Sequence, residues 1–347
     1  MVQDQAGKAQ LECLDAGVRI AASFSGTIEI AGQRVDSGGG SDVLIAEFDA
    51  VGELLASSTV GGPGNEDVEA LHDGLLVLRA NDTFRLAGRT LELPPPRQQI
   101  INPSNTLVIE LGSNGRPQDV RAVLPNAAAV RAVRLEDGDV FVASSLYDEY
   151  GGDDPNTCSL SRWSAEGLSW THPFPSHSVT HIHASGLRVL LASRHFDPDA
   201  LHLTPVDTAA GEVRPPIVTV PIRAEDWEAR AVVTDGTRLF GHRTPADADV
   251  QPFVAVAGGE AKPLAALGRL YDADAAGALV QVPLRRALSH GGETWDGVVL
   301  LEGGGATSMH ARGRSWRGCL GPTHAFVLAE CNDRPCVVAT PRNHSTG

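Results

Sequence analysis

The sequence predicts an all-β protein, a seven-bladed β-propeller of four-stranded antiparallel blades. Helical periodicity is almost absent. Short runs rich in strand-forming residues fill nearly the whole chain and are separated by Gly, Pro, Asn and Asp. A unit made of a strand, a tight turn with glycine and a strongly apolar strand also recurs at the spacing of propeller blades.

The recurring unit is clearest where Leu71–Gly74 leads into Leu75–Leu78 and where Leu135–Gly138 leads into Asp139–Val142. An Asp-Gly pair between strands indicates a hairpin, because glycine accepts a positive φ without steric cost. The glycines of these turns are residues 17, 74, 138, 186, 236, 277 and 321, with separations of 57, 64, 48, 50, 41 and 44 residues. Blades run about 40–50 residues, so these seven positions predict seven blades.

A second repeated feature joins two strands by a hairpin later in each unit. It occurs at Leu44–Leu54, Leu107–Arg116, Leu160–Leu168 and, more loosely, Leu203–Val213. We interpret these pairs as the third and outermost strands of blades. One sheet of about 45 residues buries too little apolar surface to be stable alone, so we expect the sheets to pack radially in a single domain, residues 1–347.

The segments Gly39–Asp49, Gly52–Leu55 and Gly61–Asp67 closely resemble the bacterial seven-bladed β-propeller repeat. The resemblance is good over roughly Gly26–Gly74 and moderate over Gly88–Gly138, while the later blades rest on spacing. It implies a propeller fold and a secreted or cell-surface location. It implies no catalytic residues.

The charge of the chain argues against a nucleic-acid partner. Among 347 residues, 43 are acidic and 28 are basic, so the formal net charge is −15 and the chain repels phosphate backbones. No run approaches the roughly 18 apolar residues of a membrane-spanning helix. We expect a monomer that binds a protein or small-molecule ligand at one propeller face.

The cysteines bear on the cellular compartment. Met1–Gln5 is polar and lacks a secretory apolar segment, so the chain is either cytoplasmic or a mature chain whose leader was removed. Cys331 and Cys336 enclose a turn, where a cross-hairpin disulfide fits. Cys13 and Cys319 lie in comparable strands of the first and last units, and a disulfide there would close the ring; two unconnected core cysteines are the alternative. We favour an extracellular, periplasmic or cell-surface location.

Ligands of propellers bind at the channel mouth, near the innermost strands. The strand before each turn glycine is predicted to be innermost and carries one ionisable residue. The set is Glu12, Glu69, Arg131, His181, Arg230, Asp272 and Arg317. These residues either line a wet channel and form salt bridges, or the three arginines converge on an anionic ligand.

Divalent cations are possible cofactors at three places. His181 and His183 lie on one face of a strand and could share zinc, although zinc usually has three or four ligands; histidines hydrogen-bonded in the channel are the alternative. The segments 195–202 and 148–154 are rich in His and Asp or in acidic residues and could bind a cation, calcium in the second case; solvated loops are the alternative. The glycine-rich runs at 37–40, 61–64 and 303–305 are expected to serve hairpin turns.

The sequence contains no GxSxG elbow, P-loop or dinucleotide fingerprint. We therefore expect a ligand- or protein-binding module that presents loop residues on a rigid scaffold, with the long hairpins Gly32–Ser41 and Pro94–Asn105 as contact surfaces. The alternative is a hydrolase or lyase in which His181, Glu69 and Asp272 act as acid, base or metal ligands.

Overall fold

The computed structural model contains only β-strands among the residues that it describes. These are residues 9–81, 83–86, 88–94, 104–125, 127–146, 158–176, 178–186, 188–196, 199–222, 226–234, 237–245, 250–257, 259–264, 269–273, 277–281, 288–290, 293–295, 298–302, 305–309, 315–331 and 334–342. Within these ranges no helix has the length and apolar character needed to cross a membrane.

The first of two compact units comprises residues 1–12 and 17–179. It contains three four-stranded antiparallel sheets, called blades 1 to 3 here, and a small inserted hairpin. Blade 1 consists of β1 (Ala9–Leu14), β2 (Gly17–Ile30), β3 (Gln33–Asp49) and β4 (Leu54–Val60). Blade 2 consists of β5 (Glu66–His72), β6 (Leu75–Ala80), β9 (Asn105–Leu111) and β10 (Pro117–Pro125), and the inserted hairpin between β6 and β9 consists of β7 (Phe84–Leu86) and β8 (Arg89–Leu91). Blade 3 consists of β11 (Ala127–Arg134), β12 (Val140–Leu146), β13 (Cys158–Ser164) and β14 (Gly167–Phe174).

The second unit comprises residues 13–16 and 180–347 and contains blades 4 to 7. Blade 4 consists of β15 (Ser178–Ser185), β16 (Arg188–Phe196), β17 (Asp199–Asp207) and the two short outer strands β18 (Glu212–Val213) and β19 (Val218–Pro221). Blade 5 consists of β20 (Asp226–Thr234), β21 (Arg238–Pro245), β22 (Gln251–Val256) and β23 (Lys262–Pro263).

Blade 6 consists of β24 (Arg269–Ala273), β25 (Gly277–Gln281), β28 (Val298–Glu302) and β29 (Gly305–Ser308), and its inserted hairpin consists of β26 (Leu288–His290) and β27 (Glu293–Trp295). Blade 7 consists of β30 (Ser315–Leu320), β31 (His324–Cys331) and β32 (Arg334–Pro341).

The strands of each blade follow one another in chain order across the sheet, except that β18 and β19 of blade 4 both pair with β17. The predicted turn glycines 74, 138 and 186 lie between first and second strands with positive φ. The predicted outer hairpins are confirmed as the third and fourth strands, β3–β4, β9–β10, β13–β14 and β17–β18. The fold is the predicted seven-bladed β-propeller. A single domain over residues 1–347 stays a prediction.

The second strand of blade 2 is buried on both faces, as its unbroken apolar sequence predicts. Leu76 and Leu78 pack in a core cluster with Ile45 of blade 1. Leu75 and Val77, which point the other way, pack in a different cluster with residues of blade 3. Each sheet therefore covers the face of the next within this unit.

The second unit is built in the same manner. In β25, Leu279 packs in a cluster with Val327 of blade 7. Its neighbours Ala278 and Val280 lie in another cluster with Phe240 of blade 5. A blade without both neighbours would expose one of these apolar faces to water.

The glycine-rich runs at 37–40 and 61–64 do not serve hairpin turns, so the prediction was wrong for these two runs; the second connects β4 of blade 1 to β5 of blade 2. Residues 38–40 lie inside β3, and a Cβ on Gly39 would stand 2.3 Å from the carbonyl oxygen of Gly62. A Cβ on Gly62 would in turn stand 2.0 Å from the carbonyl oxygen of Thr83. These glycines allow backbone segments to touch, which no larger residue permits.

The disulfide predicted between Cys13 and Cys319 is confirmed, with 5.7 Å between the two Cα atoms. It joins β1 to β30, the first strand of blade 7. Cys336 is also disulfide-bonded. The side chain of its predicted partner Cys331 lies outside the described part, so that pairing stays a prediction.

We expect Cys13→Ser to lower the free energy of unfolding by about 3–5 kcal/mol, because the bond spans 306 residues and restricts the unfolded chain. Urea unfolding of the oxidised protein measures this loss. Cys158→Ser, which removes a buried free thiol, is the matched control. An equal loss in both variants would contradict a special role for the cross-link.

Candidate functional site

All seven predicted channel residues lie on the first strands of their blades. The list is Glu12 on β1, Glu69 on β5, Arg131 on β11, His181 on β15, Arg230 on β20, Asp272 on β24 and Arg317 on β30. The side chain of Arg230 lies outside the described part. A ligand shared by this set stays a prediction. The contacts of individual residues show which protein groups some of these side chains bind.

Glu12 belongs to a buried ionic network. The Arg19 guanidinium donates to Glu12 and to Glu47, each at 2.7 Å. The three side chains are 6%, 9% and 7% exposed in the order Arg19, Glu12 and Glu47. The other carboxylate oxygen of Glu12 accepts the backbone N–H of Gly74 at 2.7 Å, which ties blade 1 to the first turn of blade 2. Both oxygens of the Glu12 carboxylate are therefore used in hydrogen bonds within the protein.

Glu69 and Arg131 also make contacts inside the first unit. The Arg79 guanidinium forms an ion pair with Oε1 of Glu69, while Oε2 is buried without a donor. Arg131 donates to the carbonyl oxygen of Val130 at 2.9 Å. Each of these two side chains therefore makes a contact within its own blade.

Asp272 is held by backbone donors in the second unit. Its Oδ1 accepts the N–H of Ala273 and its Oδ2 accepts the N–H of Leu320, both at 2.8 Å. The second bond joins blade 6 to blade 7, so the Asp272 carboxylate links two neighbouring blades. Both oxygens are engaged, which argues against Asp272 as a catalytic base.

The predicted metal residues do not gather in a recognisable site. Within the described ranges, no three His, Cys, Asp or Glu side chains are placed to hold one ion. His181 and His183 lie half-buried on β15. The acidic segment 148–154 lies outside the described part, so calcium binding there stays a prediction.

His195 and His202, at the two ends of the segment 195–202, form a histidine stack. Their ring centroids are 4.2 Å apart with 26° between the ring planes, and Nε2 of His195 lies 3.2 Å from the Ser193 hydroxyl. Asp199 accepts both of its bonds from Arg194, at 3.2 and 3.0 Å. Burial lowers the pKa of His195 to about 4, helped by His202, and burial also lowers the pKa of His202. The rings are therefore neutral at pH 7.

The free thiol of Cys158 is not a candidate nucleophile. It is buried on β13, and burial raises its pKa to about 11. A thiolate is the reactive form, and almost none exists at neutral pH with such a pKa.

Blade 1 carries a projecting two-stranded extension, which we call the blade-1 arm (residues 26–37). Its strands pair from Thr27 with Asp36 to Ile30 with Gln33, and its tip is a two-residue turn at Ala31 and Gly32, both with positive φ. One face packs Ile28, Ile30 and Val35 on the blade. The other face is exposed and carries the polar side chains of Thr27, Glu29, Arg34 and Asp36. The arm includes part of the predicted contact hairpin Gly32–Ser41.

The root of the arm is tied to a neighbouring loop. Residues 37–40 bulge out opposite Gly26, since Ser25 pairs with Ser41 and Thr27 with Asp36. The N–H of Gly40 donates to the carbonyl oxygen of Gly64 at 2.9 Å, and Ser41 forms a parallel bridge with Asn65. The root is thus connected to the loop before β5.

Two carboxylates meet below this root, and the sequence analysis missed them. Asp42 on β3 and Glu66 on β5 are 7% and 0% exposed. The only sequence signal was that each acidic residue ends a glycine-rich run, in Gly39-Gly40-Ser41-Asp42 and Gly61–Glu66. We treated those runs as turns.

The other contact hairpin, Pro94–Asn105, is described only at its ends because residues 95–103 lie outside the described part. Asn105 donates to the carbonyl oxygen of Pro94 at 2.9 Å, which closes the base of this segment. Its role as a contact surface stays a prediction.

No model of a known protein family matches the sequence, and no curated protein matches it. Solved structures do. The β-propeller domain of the Trilobed protease from Pyrococcus furiosus, described as having an open velcro topology, is 9% identical with a TM-score of 0.54 over 95% of this chain and 92% of that chain. The Dos1 propeller is 12% identical with a TM-score of 0.45 over 95% of both chains. A prolyl endopeptidase is 13% identical with a TM-score of 0.41 over 93% of this chain and 40% of its own. The first similarity supports the propeller fold alone.

We expect Arg19→Met to reduce the free energy of unfolding by about 3–5 kcal/mol, because it leaves Glu12 and Glu47 buried without their cation. Arg34→Met is the matched control, since the Arg34 and Asp36 side chains are 74% and 60% exposed and such pairs contribute at most about 1 kcal/mol. Chemical denaturation measures both. Similar losses in the two variants would refute the importance of the buried network.

We expect His195 to make stability fall as the pH decreases from about 6.5 to about 4. In the unfolded chain, His195 has a pKa of about 6.5 and becomes protonated in this pH range, whereas the ring in the folded protein stays neutral. Allowing for partial exposure, His195→Gln should remove about 1–2 kcal/mol of the loss between pH 7 and 4.5. Unfolding at several pH values tests this, with His72→Gln as a control outside the stack. An unchanged pH profile in His195→Gln would contradict it.

Proposed function

We propose that the protein is a secreted, periplasmic or cell-surface bacterial binding module that engages a protein or other ligand through one face. The blade-1 arm is the observation that carries this proposal. It projects from an ordinary blade, and its polar face takes no part in the core. Propeller scaffolds hold such elements rigidly, which lowers the entropic cost of binding.

The arm is well suited to present side chains in a fixed arrangement. Asp36 accepts hydrogen bonds from Thr27 and Arg34, and the Thr27 hydroxyl and the Arg34 guanidinium lower the pKa of that carboxyl. Glu29 pairs across the strands with Arg34. A mixed-charge surface of this kind favours a polar partner of matching charge pattern over a membrane surface.

Three further features support a binding role in an oxidising compartment. The Cys13–Cys319 disulfide is the type of cross-link that persists outside the cytosol. Of the residues named for the enzyme alternative, Asp272 accepts backbone N–H groups through both oxygens, and Glu69 forms an ion pair with Arg79 through one oxygen. The resemblance of residues 39–67 to the bacterial seven-bladed repeat fits the same location, and we propose a monomer with one domain.

Site-specific crosslinking tests the proposal. A photoreactive amino acid at position 34 of the secreted protein should form a defined adduct with its partner, and Glu29→Lys should reduce the yield at least several-fold by reversing a charge on the same face. Position 168, an exposed residue on an outer hairpin of blade 3, is the control. Equal adducts at both positions, or none at position 34, would argue against the arm as the binding element.

A further inference from the structure

In each of the Asp42 and Glu66 carboxylates, one oxygen accepts a backbone hydrogen bond and the other accepts none. Asp42 Oδ2 accepts the N–H of Gly38 at 2.8 Å, and Glu66 Oε2 accepts the N–H of Gly62 at 3.0 Å. The remaining oxygens, Asp42 Oδ1 and Glu66 Oε1, are buried and accept no hydrogen bond. A buried acceptor without a donor is costly, and more so when it is charged.

The two carboxylates converge on one point in space. A Cβ built on Gly61 would stand 2.3 Å from Asp42 Oδ1 and 2.9 Å from Glu66 Oε2. Both oxygens occupy the place that a Gly61 side chain would take, so glycine at this position is what lets the two carboxylates approach each other. The parallel bridge between Ser41 and Asn65 holds the two strands at this separation.

Nothing in the described part of the chain neutralises the pair. Neither carboxylate forms an ion pair with a described arginine or lysine, whereas most other buried acids of this unit do, as Glu12 and Glu47 share Arg19. Two adjacent buried carboxylates without a basic partner are costly, and a cation bound between them would offset that cost.

We propose that the carboxylates of Asp42 and Glu66, each of which keeps one buried oxygen without a donor, bind a hard divalent cation, calcium. Calcium prefers carboxylate and carbonyl oxygens in irregular, flexible arrangements, and the site offers no nitrogen or sulfur ligand that would favour zinc. Water or loop carbonyls complete the coordination. This site differs from the three segments considered from the sequence.

The position of the site gives the ion a structural consequence. Asp42 is linked through Gly38 to the bulge at the root of the blade-1 arm, and Glu66 is linked through Gly62 to the loop before β5. A cation shared by both acids therefore clamps the arm root to blade 2. This inference does not depend on the proposed binding function.

Calorimetric titration and thermal unfolding of the full chain test the inference. After EDTA treatment and buffer exchange at pH 8, we expect CaCl₂ to bind at this site and to raise the melting temperature by about 5 °C at saturation. Asp42→Asn and Glu66→Gln should each weaken this calcium binding at least tenfold and abolish the shift. Glu53→Gln, which removes an exposed carboxylate in the hairpin between β3 and β4, should behave as the wild type.

Three outcomes would overturn the inference. The first is no binding to the wild-type protein at millimolar CaCl₂, a result that does not depend on the folding of any variant. The second is binding that persists in Asp42→Asn and Glu66→Gln, which would place the ion elsewhere. The third is an unchanged response to calcium together with a higher melting temperature of Glu66→Gln at pH 8, which would mean that the acids share a proton instead.

Discussion

The burial of second strands on both faces is the constraint on which the rest of this structure depends. Each of β6 and β25 contributes side chains to two different core clusters, so neither sheet has a broad face that tolerates water. Carboxylates then fix neighbouring blades at the ends of the strands by accepting backbone N–H groups. The pairs are Glu12 with Gly74, Asp73 with Arg134, and Asp272 with Leu320. Apolar area holds the sheets together, and these directional bonds set their register.

Much of the fold could be predicted because its signals are local and periodic. Asp-Gly pairs and turn glycines mark the first hairpin of a blade, and Gly74 and Gly138 adopt the positive φ that their place in the sequence indicates. The same spacing placed Cys13 and Cys319 on equivalent strands, which is why their disulfide could be anticipated. It also placed all seven ionisable residues on first strands.

The candidate site was less predictable because it depends on distances between segments remote in sequence. Nothing near Glu12 in the sequence reveals that its carboxylate binds the N–H of Gly74, 62 residues later. The pairing of Asp42 with Glu66 requires the glycine run before each to permit backbone contact, and a sequence cannot distinguish such a glycine from one in a turn. The role of Gly61 follows only from the space around it.

The link between Cys13 and Cys319 has a consequence for biogenesis. In the described part, blades 1 and 7 share no strand, and 306 residues separate the two bonded cysteines. During vectorial synthesis, the native bond of Cys13 cannot form until β30 has emerged, so this bond forms late. Cys158 emerges earlier and would be a competing partner. Its burial on β13, with the thiol kept protonated, withdraws it from exchange as soon as blade 3 folds.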